Sequence, residues 1–546
     1  MEINKIIKIF GWLTVIILSL HSCNTMEPIP TDNYTDATFW RSASNADQVV
    51  NMAYSQMYSA DKMWSDEALS DNIFEGRRNT DQRIIRNGIA NPELALFENE
   101  WKSAYEGLKT CHIFLANIER VPDVDLQWLA RRTAEVRFIR AFIYFRLVNF
   151  YGDIPFFTTD ISLEESYNKE RTAKADVLQF IRQELTEITP HLMKKEELSN
   201  EDKGRITKGA AIALQARTYL YESDWHQTIN YCDSLINYHE VYGEYSLFSD
   251  YSGLFQASNE YNEEVILDYA YVPSLKTWSK YYDAAPLSAG ARVNDYAPVQ
   301  SLVDNYLTLD GKSVSEDPDY NEDNPYEDRD PRLQATIVVD GGEWIDFDGS
   351  KRTIYTKPGR GNSETEKMDE FKGTSANSSP TGYYMKKYYD PTATQVFESG
   401  LNIIMFRYAD ILLMYAEAKN EVGELDSQIW ETTIKALRER AGFTTQEALA
   451  YPSNLSEEEI RQIIRQERRS ELALEGLRYF DIIRWKEGKD YLEGTVYGAK
   501  FANNNTEYIK LDERRFDENR DYLWSLPRQQ IDLNKNLLPN NPGYAN

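Results

Sequence analysis

The stretch SEEEIRQIIRQERRSELALEGLRYFDIIRW, from Ser456 to Trp485, contains the features from which the rest of the chain can be interpreted. Ser456 and Glu459 have the spacing of a capping box, which predicts that a helix begins here. Apolar residues then recur at helical spacing, and Glu467 and Glu471 interrupt that stripe four residues apart. Carboxylates so close to a core face require cationic partners, so the sequence predicts an internal ion-pair network.

The same stretch indicates structural roles for further side chains. Gly476 should end the helix, and a short second helix over residues 478–485 should present Trp485 for packing. The cationic partners expected from the same helix are Arg461, Arg465, Arg468 and Arg469. These arginines should keep Glu467 and Glu471 ionised, which leaves no proton donor for a glycosidase. We therefore interpret both glutamates as structural.

Further blocks occur along the chain in a consistent order. They are Ala134–Phe156, Arg205–Trp225, Asp328–Ile337, Phe406–Gly423 and Leu523–Tyr544. Together with QERRSELALEGLRYFDIIRW they resemble the SusD/RagB family of outer-membrane nutrient-binding lipoproteins. The resemblance covers nearly all of the chain that follows the N-terminal signal.

The fold class follows from helical periodicity and from this resemblance. Alanine-rich segments at 208–221 and 409–422 are each followed by a second helix, and small residues let paired helices approach closely. Members of the family are built on such pairs, so we expect a mostly α, tetratricopeptide-like scaffold with an inserted irregular lobe. The expected segments are a signal peptide (1–22), a lipidated tether (23–35), an N-terminal helical region (36–242), a loop-rich lobe (243–404) and C-terminal helical pairs (405–546).

Two stretches are predicted to lack helices. A polar loop is expected from Asp61 to about Asn91, and short strands separated by turns are expected within residues 243–404. In that lobe, ATIVVD, two glycines and EWIDF read as a hairpin over residues 335–347. Because binding residues gather on loops that a rigid scaffold supports, both stretches are candidates for the ligand site.

The N-terminal sequence predicts secretion and attachment to a membrane. Lys5 and Lys8 precede an apolar run that is too short to span a bilayer, as in a secretory signal. Leu20, His21, Ser22 and Cys23 match a bacterial lipobox, so Cys23 should carry acyl chains such as palmitate. A plain secretory signal is the alternative. Cys111 and Cys232 lie on apolar helical stripes, which favours two buried free thiols over a disulfide.

Charge and motifs restrict the function. The 546 residues have a net charge of −28, or −29 after residues 1–22 are removed, and this field disfavours nucleic acid and polyanionic glycans. The sequence has no HExxH, no nucleophile elbow and no glycine-rich dinucleotide turn, so we expect no enzyme activity and no cofactor. A weak calcium candidate consists of Asp317, Asp319, Asn321 and Asp323. Glu322 occupies the place of the required glycine, which favours a solvated acidic loop.

Aromatic and polar residues of the predicted loops are the ligand-binding candidates. Sugars place apolar C–H faces on aromatic rings, while their hydroxyls bind planar polar groups. The aromatic candidates are Trp64, Trp278, Tyr281, Tyr282 and Trp344. The polar candidates are Arg77, Arg78, Asn79 and Arg292. Local packing within the loops is the alternative role for each ring.

The resemblance implies a function. It implies a lipid-anchored protein at the cell surface of the outer membrane, without enzyme activity, that captures an oligo- or polysaccharide. The expected partners are the glycan, a SusC-like TonB-dependent transporter that receives it, and the membrane lipid that Cys23 enters. Two alternatives stay open: a RagB-type receptor for peptides or protein fragments, and a surface glycoside hydrolase.

Overall fold

The computed structural model describes residues 39–76 and 79–546. The predicted signal peptide, the tether with Cys23, and the candidates Arg77 and Arg78 lie outside the described residues. The described part of the chain is mostly helical and contains six two-stranded antiparallel sheets, which confirms the predicted fold class. Within those same ranges, no helix is both long and apolar enough to cross a membrane.

Helices are numbered in chain order. The first ten are α1 (Ala43–Met57), α2 (Ala60–Ala68), α3 (Asp81–Arg86), α4 (Ala95–Asn117), α5 (Leu126–Tyr151), α6 (Leu163–Asn168), α7 (Lys174–Ile188), α8 (Lys208–Leu220), α9 (Trp225–Asn237) and α10 (His239–Tyr242). The others are α11 (Gln300–Asn305), α12 (Arg332–Thr336), α13 (Tyr408–Glu421), α14 (Ser427–Trp430), α15 (Ala436–Ala441), α16 (Gln446–Leu449), α17 (Glu457–Glu471), α18 (Arg478–Trp485), α19 (Gly488–Leu492) and α20 (Arg528–Leu533).

The strands are short and pair as separate ribbons. They are β1 (Ile73–Glu75), β2 (Ile154–Pro155), β3 (Arg171–Thr172), β4 (Val265–Tyr269), β5 (Tyr296–Pro298), β6 (Ile337–Val338), β7 (Gly342–Ile345), β8 (Lys351–Ile354), β9 (Tyr384–Met385), β10 (Ile403–Arg407), β11 (Gly494–Tyr497) and β12 (Lys510–Arg514). The pairs are β1 with β5, β2 with β3, β4 with β10, β6 with β9, β7 with β8, and β11 with β12.

The long helices form a continuous array. Each helix in the series α1, α4, α5, α7, α8, α9, α13 and α17 contacts the next. Helix α5 is buried on nearly all sides in its C-terminal half, as its two apolar faces predict. Helix α8 buries Ala210, Ala211 and Ala213, and these small side chains allow α9 to pack closely against it. Cys111 on α4 and Cys232 on α9 are buried free thiols, as predicted.

Two local predictions were wrong. The stretch expected to be a polar loop contains α2 and α3, because Ser59 accepts a hydrogen bond from the N–H of Lys62 and caps α2. Residues 335–347 do not form a hairpin, since β6 pairs with β9 and β7 pairs with β8. The turn between β7 and β8 contains Gly349 at φ +79°, and the N–H of Asp346 donates across it to the carbonyl of Ser350 at 2.8 Å.

Helix α17 begins as predicted and ends earlier. Ser456 and Glu459 form the capping box, with each side chain accepting from the other residue's backbone N–H. The helix stops at Glu471 rather than at Gly476. Leu474 (φ +64°) and Gly476 (φ +76°) both adopt left-handed conformations in the turn that leads into α18.

Candidate ligand-binding surface

The two segments predicted to contribute to one surface are adjacent in the fold. Strand β1 pairs with strand β5, and the N–H of Gly76 donates to the carbonyl of Asp295 at 2.9 Å. Lys280 forms an ion pair with Asp61 at 2.6 Å. The chain around residues 61–76 therefore lies against the chain around residues 278–296.

Most of the candidate rings lie beneath this surface. Trp64, Trp278, Tyr281 and Trp344 are 1%, 7%, 2% and 0% exposed, respectively. The Trp64 ring centroid lies 5.5 Å from that of Tyr281 and 6.5 Å from that of Trp278. We call these four residues the aromatic seam. The expectation that they are exposed for stacking is wrong, because helix α2 and strand β7 turn Trp64 and Trp344 into the core.

Three of the other candidates reach the solvent. Asn79 is exposed, Tyr282 is half-buried, and the side chain of Arg292 is 53% exposed. The guanidinium carbon of Arg292 lies 5.3 Å from the centre of the Tyr282 ring, and Arg292 Nη2 donates to Asp283 at 2.8 Å. Hydrogen bonding to Asp283, together with its negative charge, raises the pKa of Arg292. Asp283 therefore holds a charged, planar group next to an aromatic ring.

Sequence reasoning missed three neighbours of these residues. Asp61 is exposed, Lys280 and Tyr296 are partly buried, and Lys280 Nζ lies 5.8 Å from the centre of the Tyr296 ring. The Tyr296 ring contacts Trp64 edge-on at 5.3 Å, so it connects the seam to the solvent. No sequence motif marks these residues. The charges of Asp61 and Lys280, which lie close in sequence to the predicted candidates, could have indicated these two. The rim surface is defined by Asp61, Asn79, Lys280, Tyr282, Arg292 and Tyr296.

The predicted ion-pair network is present around helix α17. Glu467 is 2% exposed and pairs with Arg332 at 2.6 Å and with Arg438 at 2.8 Å. Burial opposes ionisation of Glu467, but the charges of Arg332 and Arg438 outweigh it and lower the pKa of this carboxyl. Glu467 is therefore a buried carboxylate rather than a proton donor.

Glu471 pairs with more arginines than Glu467 does. It is fully buried and pairs with Arg332 at 2.8 Å, with Arg407 at 2.6 Å and with Arg440. Burial opposes its ionisation, but the charges of Arg440, Arg407 and Arg332 hold the pKa of Glu471 well below its usual range. The pair Glu467 and Glu471 thus lacks the neutral acid that glycoside hydrolysis requires.

The prediction that arginines of the same helix neutralise Glu467 and Glu471 was wrong. Arg468 pairs with Asp410 at 2.6 Å and with Asp481 at 2.8 Å, while Arg469 pairs with Asp71 at 3.0 Å. Neighbouring positions on a helix point in different directions, so these arginines face other elements than the two glutamates do. Arg461 and Arg465 likewise pair with Glu421 and Glu487. The ion-pair network consists of Glu264, Asp330, Arg332, Lys387, Arg407, Arg438, Arg440, Glu467, Glu471 and Glu475.

Gly476 and Trp485 take part in packing. The N–H of Gly476 donates to Glu67 Oε2 at 2.9 Å, and a Cβ at position 476 would lie 3.0 Å from the carbonyl oxygen of Met63. Trp485 Nε1 donates to Glu417 Oε1 at 2.8 Å. Both residues thus connect the end of the stretch from Ser456 to Trp485 to other helices.

The acidic loop is organised by local hydrogen bonds. Asp317 accepts from the N–H of Asp319, and Asn321 accepts from the N–H of Asp323, each at 3.0 Å. Across residues 39–76 and 79–546, no group of three or more His, Cys, Asp or Glu side chains is placed to hold a metal ion. The three aspartates of the calcium candidate therefore do not converge on one centre.

Comparison with protein families decides the relationship. Residues 219–544 match the model of the SusD family, and residues 22–220 match a model described as starch-binding, associating with outer membrane. The chain belongs to the SusD family. It is 26% identical to a SusD-like protein, P2 of Formosa agariphila, and the match covers 97% of this chain and 98% of that relative. A shorter match is to the starch-binding protein SusD of Bacteroides thetaiotaomicron. It has 29% identity and covers 28% of this chain and 26% of that protein.

Solved structures of SusD-like proteins share the fold. A SusD-like carbohydrate binding protein from Bacteroides fragilis is 27% identical, with a TM-score of 0.82, and covers 92% of this chain and 100% of its own. Another SusD-like protein from the same species is 25% identical, with a TM-score of 0.78, and covers 93% and 99% of the two chains. The SusD-like architecture expected from the sequence is therefore confirmed.

Proposed function

We propose that this chain binds an oligo- or polysaccharide at the rim surface and delivers it to a SusC-like TonB-dependent transporter of the outer membrane. The observation that carries the binding step is the half-buried Tyr282 ring with the exposed guanidinium of Arg292 beside it. An aromatic face can contact the C–H groups of a pyranose, and a guanidinium can donate several hydrogen bonds to its hydroxyls. The names of SusD-family relatives as starch-binding and carbohydrate-binding proteins support this ligand class.

The rim surface has the rigidity that such a site requires. The N–H of Arg292 donates to the carbonyl of Tyr282 at 3.1 Å, and the N–H of Asp295 donates to the carbonyl of Asp283 at 2.7 Å. The aromatic seam supports the rim from below through the contact of Tyr296 with Trp64. A surface ordered before binding loses less conformational entropy when a flexible glycan binds.

Attachment and delivery are the further parts of the proposal. Lipidation of Cys23 would place the helical body at the outer membrane, and residues 23–35 would act as its tether. The match of residues 22–220 to a family model named for association with the outer membrane supports this location. A tethered body can hold a captured glycan over a transporter without forming a permanent interface with it.

We infer that the protein binds its ligand without hydrolysing it. The only carboxylate pair that the sequence suggested for hydrolysis, Glu467 and Glu471, is buried and bound by arginines. Relatives are named for binding rather than for a reaction. Incubation of the purified protein with starch and laminarin fragments tests this inference, and release of shorter sugars would contradict it.

The binding proposal is tested with rim variants. A glycan array identifies an oligosaccharide ligand, starting with starch and laminarin fragments, and calorimetry measures its affinity for Tyr282→Ala and Arg292→Ala. Loss of a stacking ring should weaken binding roughly tenfold to hundredfold, or about 1–3 kcal/mol. Salt should have little effect on a neutral ligand. Tyr238→Ala, at a residue that is 51% exposed after helix α9, is the matched control.

Two outcomes would contradict this assignment. If both rim variants bind the glycan as the unchanged protein does, the binding site lies elsewhere. If the array shows no glycan binding and a peptide library does, the ligand class is that of a RagB-type receptor. The first result is informative only if the melting temperature of each rim variant equals that of the unchanged protein.

A further inference from the structure

A cavity lies away from the rim surface. It has a volume of about 410 Å³ and opens between residues 195–207 and strand β4. Its lining includes none of the rim residues defined above. Pockets that bind small ligands typically have volumes of about 300–1,000 Å³, so this cavity is large enough for a monosaccharide.

The cavity wall contains a buried carboxylate with unused hydrogen-bonding capacity. Asp268 lines the cavity and is 3% exposed. Its Oδ2 accepts from Asn402 Nδ2 at 2.8 Å, whereas Oδ1 accepts no hydrogen bond from another residue in the described ranges. Burial raises the pKa of Asp268 to about 7, against the opposing hydrogen bond from Asn402. A buried acceptor without a donor is unfavourable, so a ligand donor at Oδ1 would stabilise the site.

The other walls provide an aromatic face and a fixed amine. Tyr261 is half-buried beside Gly204, where a Cβ would lie 3.4 Å from the tyrosine ring, and φ of Gly204 is +82°. Lys195 Nζ donates to the carbonyl of Val265 at 2.8 Å, so its charge is held by the backbone. Burial lowers the pKa of Lys195 to about 8. These groups give the cavity a mixed apolar and polar wall.

Exposed charges of both signs surround the opening. Lys203, Glu244 and Glu263 are exposed and line the cavity. A cationic ligand would meet Lys203 there, and an anionic ligand would meet Glu244 and Glu263, so a ligand of either charge has at least one unfavourable neighbour. Hydroxyl groups both donate and accept hydrogen bonds, so a polyhydroxylated neutral ligand satisfies all of these groups.

We propose that this cavity is a second sugar-binding site, which takes a neutral monosaccharide unit with one hydroxyl donating to Asp268 Oδ1. Tyr261 provides a ring face for the apolar side of the sugar. The site is separate from the rim surface, so its existence does not depend on glycan binding there. It would allow the protein to bind a free sugar or the end of a chain in addition to the glycan at the rim.

The experiment uses the folded protein and four named probes. Saturation-transfer NMR detects binding of D-glucose, D-galactose, D-mannose and D-xylose, and calorimetry measures the affinity of each sugar that binds. Asp268→Asn keeps the shape of the wall. Measured at pH 8.5, where Asp268 with its pKa of about 7 is ionised, this variant should weaken binding by roughly tenfold or more, as expected for a hydrogen bond to a charged group. Ser246→Trp changes an exposed residue of the lining and should block entry. Tyr282→Ala, at the rim, should leave sugar binding here unchanged.

The results separate this site from the rim. The proposal is supported if Asp268→Asn and Ser246→Trp each weaken sugar binding while both variants still bind the rim oligosaccharide. It is overturned if none of the four sugars binds the unchanged protein, or if Asp268→Asn and Ser246→Trp both bind as tightly as that protein. It is also overturned if Tyr282→Ala abolishes sugar binding, since the sugar then occupies the rim. Melting temperatures confirm that each variant is folded.

Discussion

Replacing Glu471 by alanine should destabilise the protein without affecting any reaction. Glu471 is fully buried on the last turn of helix α17 and binds the guanidinium groups of Arg332, Arg407 and Arg440. The three arginines come from separate elements of the chain. The carboxylate therefore neutralises positive charges that would otherwise face each other in the core.

The size of the effect follows from the charges in the ion-pair network. Within the described residues the network contains five cations and five carboxylates, so it is neutral when intact. Glu471→Ala leaves one net positive charge in the core. Removing one partner of a buried ion pair costs about 3–5 kcal/mol. For a chain of 546 residues, that corresponds to a fall of roughly 3–4 °C in melting temperature.

Differential scanning calorimetry measures this change. Glu431→Ala is the matched control, because Glu431 also pairs with a cation but its side chain is 65% exposed. Exposed ion pairs contribute little, so the control should melt with the unchanged protein. Unchanged melting of Glu471→Ala together with lost glycan binding would refute the reasoning, because Glu471 would then belong to a binding site rather than to the scaffold.

Three further predictions follow from the structure and the sequence. Glu467→Ala should lower the melting temperature less than Glu471→Ala does, because Glu467 pairs with two arginines rather than three. Burial raises the pKa of Asp268 from 3.8 to about 7, so its ionisation reduces stability as pH rises between these values. The melting temperature of Asp268→Asn should therefore rise relative to that of the unchanged protein between about pH 4 and about pH 7. Above about pH 7 the difference between the two should stay constant. Cys23→Ala should release the protein from membranes with its melting temperature unchanged, as fractionation and mass spectrometry of the N-terminus would show.

Helical periodicity allowed most of the scaffold to be predicted. The paired helices α8 and α9 repeat apolar or small residues on the faces that they bury, and this pattern is local in sequence. The ion-pair network was predicted for a different reason, namely that two carboxylates on an apolar face need positive partners. Its partners could not be predicted, because Arg332 is 139 residues from Glu471 and Arg407 is 64 residues from it.

The ligand surface was harder to predict than the scaffold. The sequence indicated which two segments to consider, and the pairing of β1 with β5 brings them together. It did not indicate which rings are buried, because tryptophan and tyrosine suit both cores and wet surfaces. Trp64 and Trp344 lie in short elements whose burial depends on distant partners, so local sequence carries no signal for it. Tyr282 is half-buried and Arg292 is exposed, and their segment folds back on itself through the contact of Arg292 with Asp283.

Strands β4 and β10 connect the ion-pair network to both proposed ligand sites. Strand β10 ends in Arg407, which binds Glu471, and it pairs with β4, so that Ile404 lies opposite Asp268 in the cavity wall. Just beyond β4, the ring of Tyr271 lies 6.5 Å from Trp278 in the aromatic seam below the rim. Glu471 itself lines neither site, so its loss should weaken both ligand sites only as the fold itself is lost. At temperatures far below melting, each site should bind normally in that variant, whereas rim or cavity variants should bind weakly at every temperature.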